Sequence, residues 1–196
     1  MTDTTRPAAL RYSAVSVILH WAVAGFLLAN LGLGWWMGRL EGLAQFDAFQ
    51  LHKSIGMTVL ALSVLRLAWR VTHKAPPLPA TMNAFERFAA HATHLFFYVM
   101  MIGMPLTGWA LVSVSPLNIP TLLWHTIPLP HIGVLHDLPY ASRDVAGHLS
   151  TSAHVALAFG GAGLIALHIA AALKHQFINR DGVLGRMVPF LSPRPR

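Results

Sequence analysis

The chain has 196 residues, 55% of them hydrophobic and only 11% charged, against about 25% charged in an ordinary soluble domain. That deficit excludes a surface wetted by water on all sides. The absence of cysteine excludes disulfides, iron–sulfur clusters, covalently attached haem and thiolate metal sites. The formal net charge of +7 would suit a nucleic-acid binder if the basic residues stood apart. They lie beside apolar segments instead, a pattern of membrane topology and headgroup contact.

Taken in chain order, four segments reach the roughly 20 apolar residues that a spanning helix needs. The first runs from about Ser13 to Met37. Its basic start at Arg6 and Arg11 resembles a signal peptide. The apolar run continues past Trp35, contains His20 and lacks a small-residue cleavage site, so it reads as a retained helix. The second span runs from about Leu51 to Val71. Arg66 and Arg70 fall in its last turns, where long side chains snorkel to headgroups. Lys74-Ala75-Pro76-Pro77-Leu78-Pro79 then ends it, because proline cannot continue a helix. The third span runs from about His91 to Val114. A connection rich in Pro and His follows, from about Ser115 to Ser150, long enough to form a short cap. The fourth span runs from about Thr151 to Leu173. The expected fold is all-α, a four-helix transmembrane bundle forming one membrane domain over residues 1–196.

Lysines and arginines divide unequally between the two ends of this bundle. Arg6, Arg11, Arg66, Arg70, Lys74, Arg87, Lys174, Arg180, Arg186, Arg194 and Arg196 fall on the side of the termini. Arg39, Lys53 and Arg143 fall on the other. The positive-inside rule then predicts both termini in the cytoplasm.

An ionisable residue inside a span is a functional hypothesis by default. Four histidines meet that description: His20, His52, His154 and His168. On the fourth span, His154 and His168 are nearly four helical turns apart, about 21 Å along the axis at about 1.5 Å per residue. Their rings therefore leave one face at two depths. His20 lies about two turns inside the first span, level with His168. His52 begins the second span at the level of His154. Two depth-matched pairs result. A single such histidine could merely hydrogen-bond between helices, but two pairs suit bis-histidine ligation of two stacked haems within a bundle. Gly56, Gly160, Gly161 and Gly163 would let a flat macrocycle approach, although membrane glycines also serve helix packing. Zinc is disfavoured, since structural sites gather four close ligands and these histidines form separated pairs.

Other histidines are more ambiguous. His91 and His94 on the third span are rivals for the iron near the termini. His175 follows His168 at the interface, and reads equally as a headgroup contact or as a proton or quinone residue. His73, His125, His131 and His136 fall in loops and are expected to face solvent.

At these residues the sequence resembles the bacterial cytochrome b561 family. Arg11-Tyr12-Ser13 leading to His20-Trp21 is similar to its first-helix motif. Leu51-His52-Lys53-Ser54-Ile55-Gly56 with Leu65-Arg66-Leu67 resembles its second, Ala90-His91-Ala92-Thr93-His94-Leu95 its third, and Leu167-His168 through Ala172-Leu173-Lys174-His175-Gln176-Phe177 its fourth. The resemblance covers about residues 10 to 188 and is poorest in the long connection. It implies an inner-membrane, multi-pass dihaem cytochrome that exchanges electrons with quinone. It also implies two haem b groups on His20, His52, His154 and His168.

The family includes superoxide oxidases, so the expected function is transfer of electrons from superoxide outside to ubiquinone in the membrane. Lys53, Arg143 and the loop histidines would attract the anion. His175, Lys74 and Lys174 are the expected quinone contacts or proton donors. The alternative is a quinol-linked cytochrome subunit that meets a periplasmic redox protein through the 115–150 connection. A histidine-lined metal transporter is disfavoured by the lack of acidic residues in the spans. Ubiquinone, superoxide and lipid are the expected partners, and nucleic acid is not.

Overall fold

A computed structural model of the protein describes residues 11–188. Arg6, Arg194 and Arg196, used above in the charge comparison, lie outside these. Four helices are long and apolar enough to cross a membrane: α1 (Ala14–Met37), α2 (Gly42–Thr72), α3 (Ala84–Val114) and, after a short α4 (Gly133–His136), α5 (Tyr140–Lys174). α1 packs on α2, α2 on α3, and α3 on α5. The 24 residues of α1 extend about 36 Å at 1.5 Å per residue, a little more than the roughly 30 Å hydrocarbon core. The other three are longer, so their ends stand beyond it.

Local chemistry sets the ends. Ser13 caps α1 by accepting from the Ser16 amide at 3.3 Å, which satisfies one of the free first-turn donors. Asn83 and Glu86 form a reciprocal capping box at the start of α3. Val23, Leu27, Ile55, Val59, Met100, Met101 and Met104 make a small buried core at mid-depth. Outside it, Ile18, Leu28, Leu65, Phe96, Val155 and Leu167 are exposed on the bundle surface. A soluble protein would bury such residues, whereas lipid solvates them.

α2 and α5 begin well before the apolar runs suggest, at Gly42 rather than Leu51 and at Tyr140 rather than Thr151. Between α3 and α5 lies a cap with an antiparallel hairpin, β1 (Thr121–Leu123) with β2 (Ile127–Leu129). Trp124 and His125 turn it in the left-handed region. The cap is fastened to the bundle by buried polar groups. Gln50 donates to the Pro120 carbonyl at 2.9 Å and accepts from the Leu122 amide. Ser54 accepts from the Trp124 amide at 2.9 Å, and Ser113 from the Ile132 amide at 2.9 Å. Trp109 donates its indole N–H to Pro130.

At the opposite, terminal end, α5 continues into a π-helical turn (His175–Asn179) and a left-handed Arg180. The chain then folds back over the bundle. Trp21 donates to the Met187 carbonyl at 2.8 Å and Arg186 to the Pro77 carbonyl at 2.6 Å.

Candidate functional site

The four intramembrane histidines meet in two pairs across the bundle. The ring centroids of His52 and His154 are 6.1 Å apart at the cap end. Those of His20 and His168 are 6.3 Å apart at the terminal end. Two imidazoles bound to opposite sides of one metal ion, at about 2 Å each, have centroids separated by about 6 Å. Both pairs therefore have the spacing of two imidazoles that would hold one metal ion between them. His94 competes on this measure, since its centroid is 5.9 Å from that of His168. Distance does not rank His94 against His20. His91 is exposed and turns to the Arg87 carbonyl of its own helix.

The cap-end pair lines an apolar cavity of about 650 Å³, together with Leu27, Asn30, Val59, Met100, Met101 and Met104. Cofactor pockets commonly measure about 300–1,000 Å³. His154 is prepared as a ligand here. Its Nδ1 lies 3.0 Å from the Met104 carbonyl, which can only accept, so Nδ1 carries the proton and Nε2 keeps its lone pair. Orientation by a second-sphere acceptor is typical of metal-binding histidines. His52 Nδ1 is buried without a hydrogen-bond partner, and so is Asn30 Oδ1.

Gly34 and Gly108 back these rings. A Cβ on Gly34 would come within 3.0 Å of the His52 imidazole, and one on Gly108 within 3.2 Å of His154. Of the glycines singled out by sequence, Gly56 lines the cap-end cavity, while those of α5 serve differently. Gly161 packs against Met100, whose sulfur a Cβ would strike, while Gly160 and Gly163 meet nothing within 4 Å. Gly34 and Gly108 carry no local sequence signal, because which glycine faces a histidine on another helix depends on helix rotation.

Lys53 and Arg143 line the same cavity as the cap-end pair, and so does Asp144. The positive rim therefore includes one acid. Arg143 donates to the His136 carbonyl, and its Nε is buried without a partner. His131 and His136 depart from the expectation that they face solvent. They stack at 5.0 Å, and His136 Nδ1 lies 3.1 Å from the Ser113 carbonyl. Partial burial, then His136 and the charge of Lys53, lower the His131 pKa. Its ring is neutral near pH 7 and adds no attraction for an anion. His125 is exposed as expected, and the exposed His73 stacks on Trp69.

At the terminal end, His175 Nδ1 stands 2.5 Å from Asp181 Oδ2, with side chains only 12% and 8% exposed. The π-turn and the left-handed Arg180 bring this acid back to the histidine. Lys174 is held by Glu86 at 2.7 Å, and Lys74 is exposed between α2 and α3. Arg66 does not reach for headgroups as its position near the helix end suggests. It donates to His20 Nδ1 at 3.1 Å and lies 5.9 Å from the Tyr98 ring centre.

Residues 11–190 match the family described as prokaryotic cytochrome b561. The chain belongs to that family. It is 33% identical to cytochrome b561 homolog 2 of Escherichia coli (strain K12), with 96% of this chain and 95% of the relative covered. It is 26% identical to the probable superoxide oxidase CybB of Yersinia pestis, over 91% of this chain and 96% of the relative. Cytochrome b561 homolog 1 of Escherichia coli (strain K12) is also 26% identical, over 91% and 97%. As a cytochrome b561, the protein is a multi-pass electron-transfer protein of the bacterial inner membrane, and the family implies haem b. The cap-end residues fit such a group: the cavity has the size, the wall is apolar, and His154 offers a bare nitrogen.

Proposed function

We propose that this cytochrome b561 is a superoxide:ubiquinone oxidoreductase with two b haems, one on His52 and His154 and the other on His20 and His168. Both termini, and hence His20 and His168, lie on the cytoplasmic side, and residues 1–196 act as one membrane domain. The observation that carries this reading is the cap-end histidine pair in one cavity with Lys53 and Arg143. Positive side chains beside a redox group favour an anionic donor.

Haem supplies one-electron chemistry, and the protein supplies spacing, access and charge. Each superoxide gives up one electron at the cap end and departs as dioxygen. Two such electrons and two protons convert one ubiquinone to ubiquinol. Lys53 and Arg143 draw the anion in. At the terminal end His175 hands a proton to the reduced quinone, and Asp181 fixes the orientation of its ring. The exposed Lys74 holds the approach to this site positive, and Lys174, its charge balanced by Glu86, is a quinone contact beside it.

Stopped-flow mixing of superoxide with the purified protein and ubiquinone tests the reading. Haem reduction far faster than dismutation supports it. A rate no faster than free dismutation refutes it, and the quinol-linked subunit with a periplasmic redox partner takes its place. That second reading draws on Trp124, Ile127 and Val134, which are exposed on the cap.

Three further outcomes are expected. Lys53→Glu lowers the rate of reduction by superoxide about tenfold at low salt and leaves the haem spectrum unchanged. In the wild type this rate falls as salt rises, since exposed charges are screened over about 10 Å at 0.1 M. Gly108→Val drives a side chain into His154 and lowers cap-end haem occupancy, read as haem per chain, with helix content by circular dichroism preserved.

A further inference from the structure

Arg66 and His20 make a contact that iron ligation cannot share. An arginine has five N–H donors and no acceptor, so His20 Nδ1 must accept in this 3.1 Å bond. A neutral imidazole that accepts at Nδ1 carries its proton on Nε2. A histidine bound to iron through Nε2 needs the opposite tautomer, the one His154 already has. Ligation by His20 through Nε2 would therefore make Nδ1 a donor and release Arg66.

A half-buried guanidinium released inside an apolar bundle requires an anion. Among the described residues, the acids of this end are Glu86 and Asp181. They are held by Lys174 and His175. Beside Arg66 is a niche of about 70 Å³, lined by Arg66, Arg70, Tyr12, Ser16, His94 and Tyr98 among others. That volume is about two waters' share of liquid, the scale of a carboxylate. Two guanidinium groups and three hydroxyls surround it with donors.

We propose that this niche binds a propionate carboxylate of the haem held by His20 and His168, with Arg66 moving from the histidine to the carboxylate as the haem enters. The inference rests on the two-haem reading above. It gives Arg66 two partners in succession: it holds His20 before ligation and neutralises the cofactor afterwards. It also gives His94 a place on the carboxylate side of the pocket rather than on the iron.

Titration of the full-length chain, produced without haem, with protohaem and with its dimethyl ester tests this. The ester lacks the carboxylates. Wild type is expected to take protohaem at the terminal-end site about tenfold or more tightly than the ester, as a charge-assisted hydrogen bond requires. Arg66→Leu should bind the two forms with nearly equal, weak affinity at that site, and Arg66→Lys should regain part of the preference. The cap-end haem reports that each variant folds. In Arg66→Leu the midpoint potential of the terminal-end haem should fall, because a positive charge close to the iron favours the ferrous state. An Arg66→Leu protein that prefers protohaem as strongly as wild type overturns the proposal. So does one that binds both forms normally and instead loses a tightly held phospholipid by native mass spectrometry, which would assign the niche to a lipid phosphate. A wild type with no haem on His20 and His168 overturns the two-haem reading as well.

Discussion

His52→Ala and His154→Ala should each abolish the cap-end haem and leave the terminal-end haem in place. His20→Ala and His168→Ala should do the reverse. The expected effect is loss of one haem per variant, since removal of one imidazole leaves the iron a single histidine of its pair; His94, whose ring is 5.9 Å from that of His168, stands near enough to take the place of His20. The two pairs lie about 21 Å apart along α5 at about 1.5 Å per residue, so loss at one level need not disturb the other. Haem content with low-temperature spectra distinguishes the four variants. His94 supplies the decisive control. Its ring is as close to His168 as that of His20. If His94→Ala removes the terminal-end haem and His20→Ala keeps it, the iron is held by His94 and the pairing is wrong.

The second large effect is expected at His175. Reduction of quinone consumes protons, and positioned general acids contribute about 10²–10⁴-fold to such steps. His175→Ala should slow electron exit to ubiquinone on the order of a hundredfold, while reduction of the haems by superoxide stays close to wild type. Asp181→Asn should give a smaller loss, because it removes the group that orients the ring without removing the proton carrier. Stopped flow with and without ubiquinone separates the two half-reactions. Equal slowing of both would place His175 outside the quinone step.

Much of this was legible because the membrane imposes simple rules. Apolar length marked the spans, and helical rise placed His154 and His168 at two depths on one face. What sequence concealed was helix rotation and polar chemistry beyond the apolar runs. Gly42–Gln50 carries Gln45, Asp47 and Gln50, so it reads as a loop. It is helical, and its Gln50 anchors the hairpin. Tyr140–Ser150 carries Arg143, Asp144 and His148 and hides the start of α5 in the same way. The hairpin turn uses Trp124 and His125 in place of the Gly or Asn that usually signals such a turn. Arg66 was misplaced because its position gives depth alone. Its rotation about α2 directs it inward to His20, away from the headgroups.

Haem stoichiometry tests the central claim most directly. Pyridine haemochrome analysis of a fully loaded preparation, divided by protein mass from amino-acid analysis, should give two b haems per chain. A value of one, or none, would contradict the paired-histidine account.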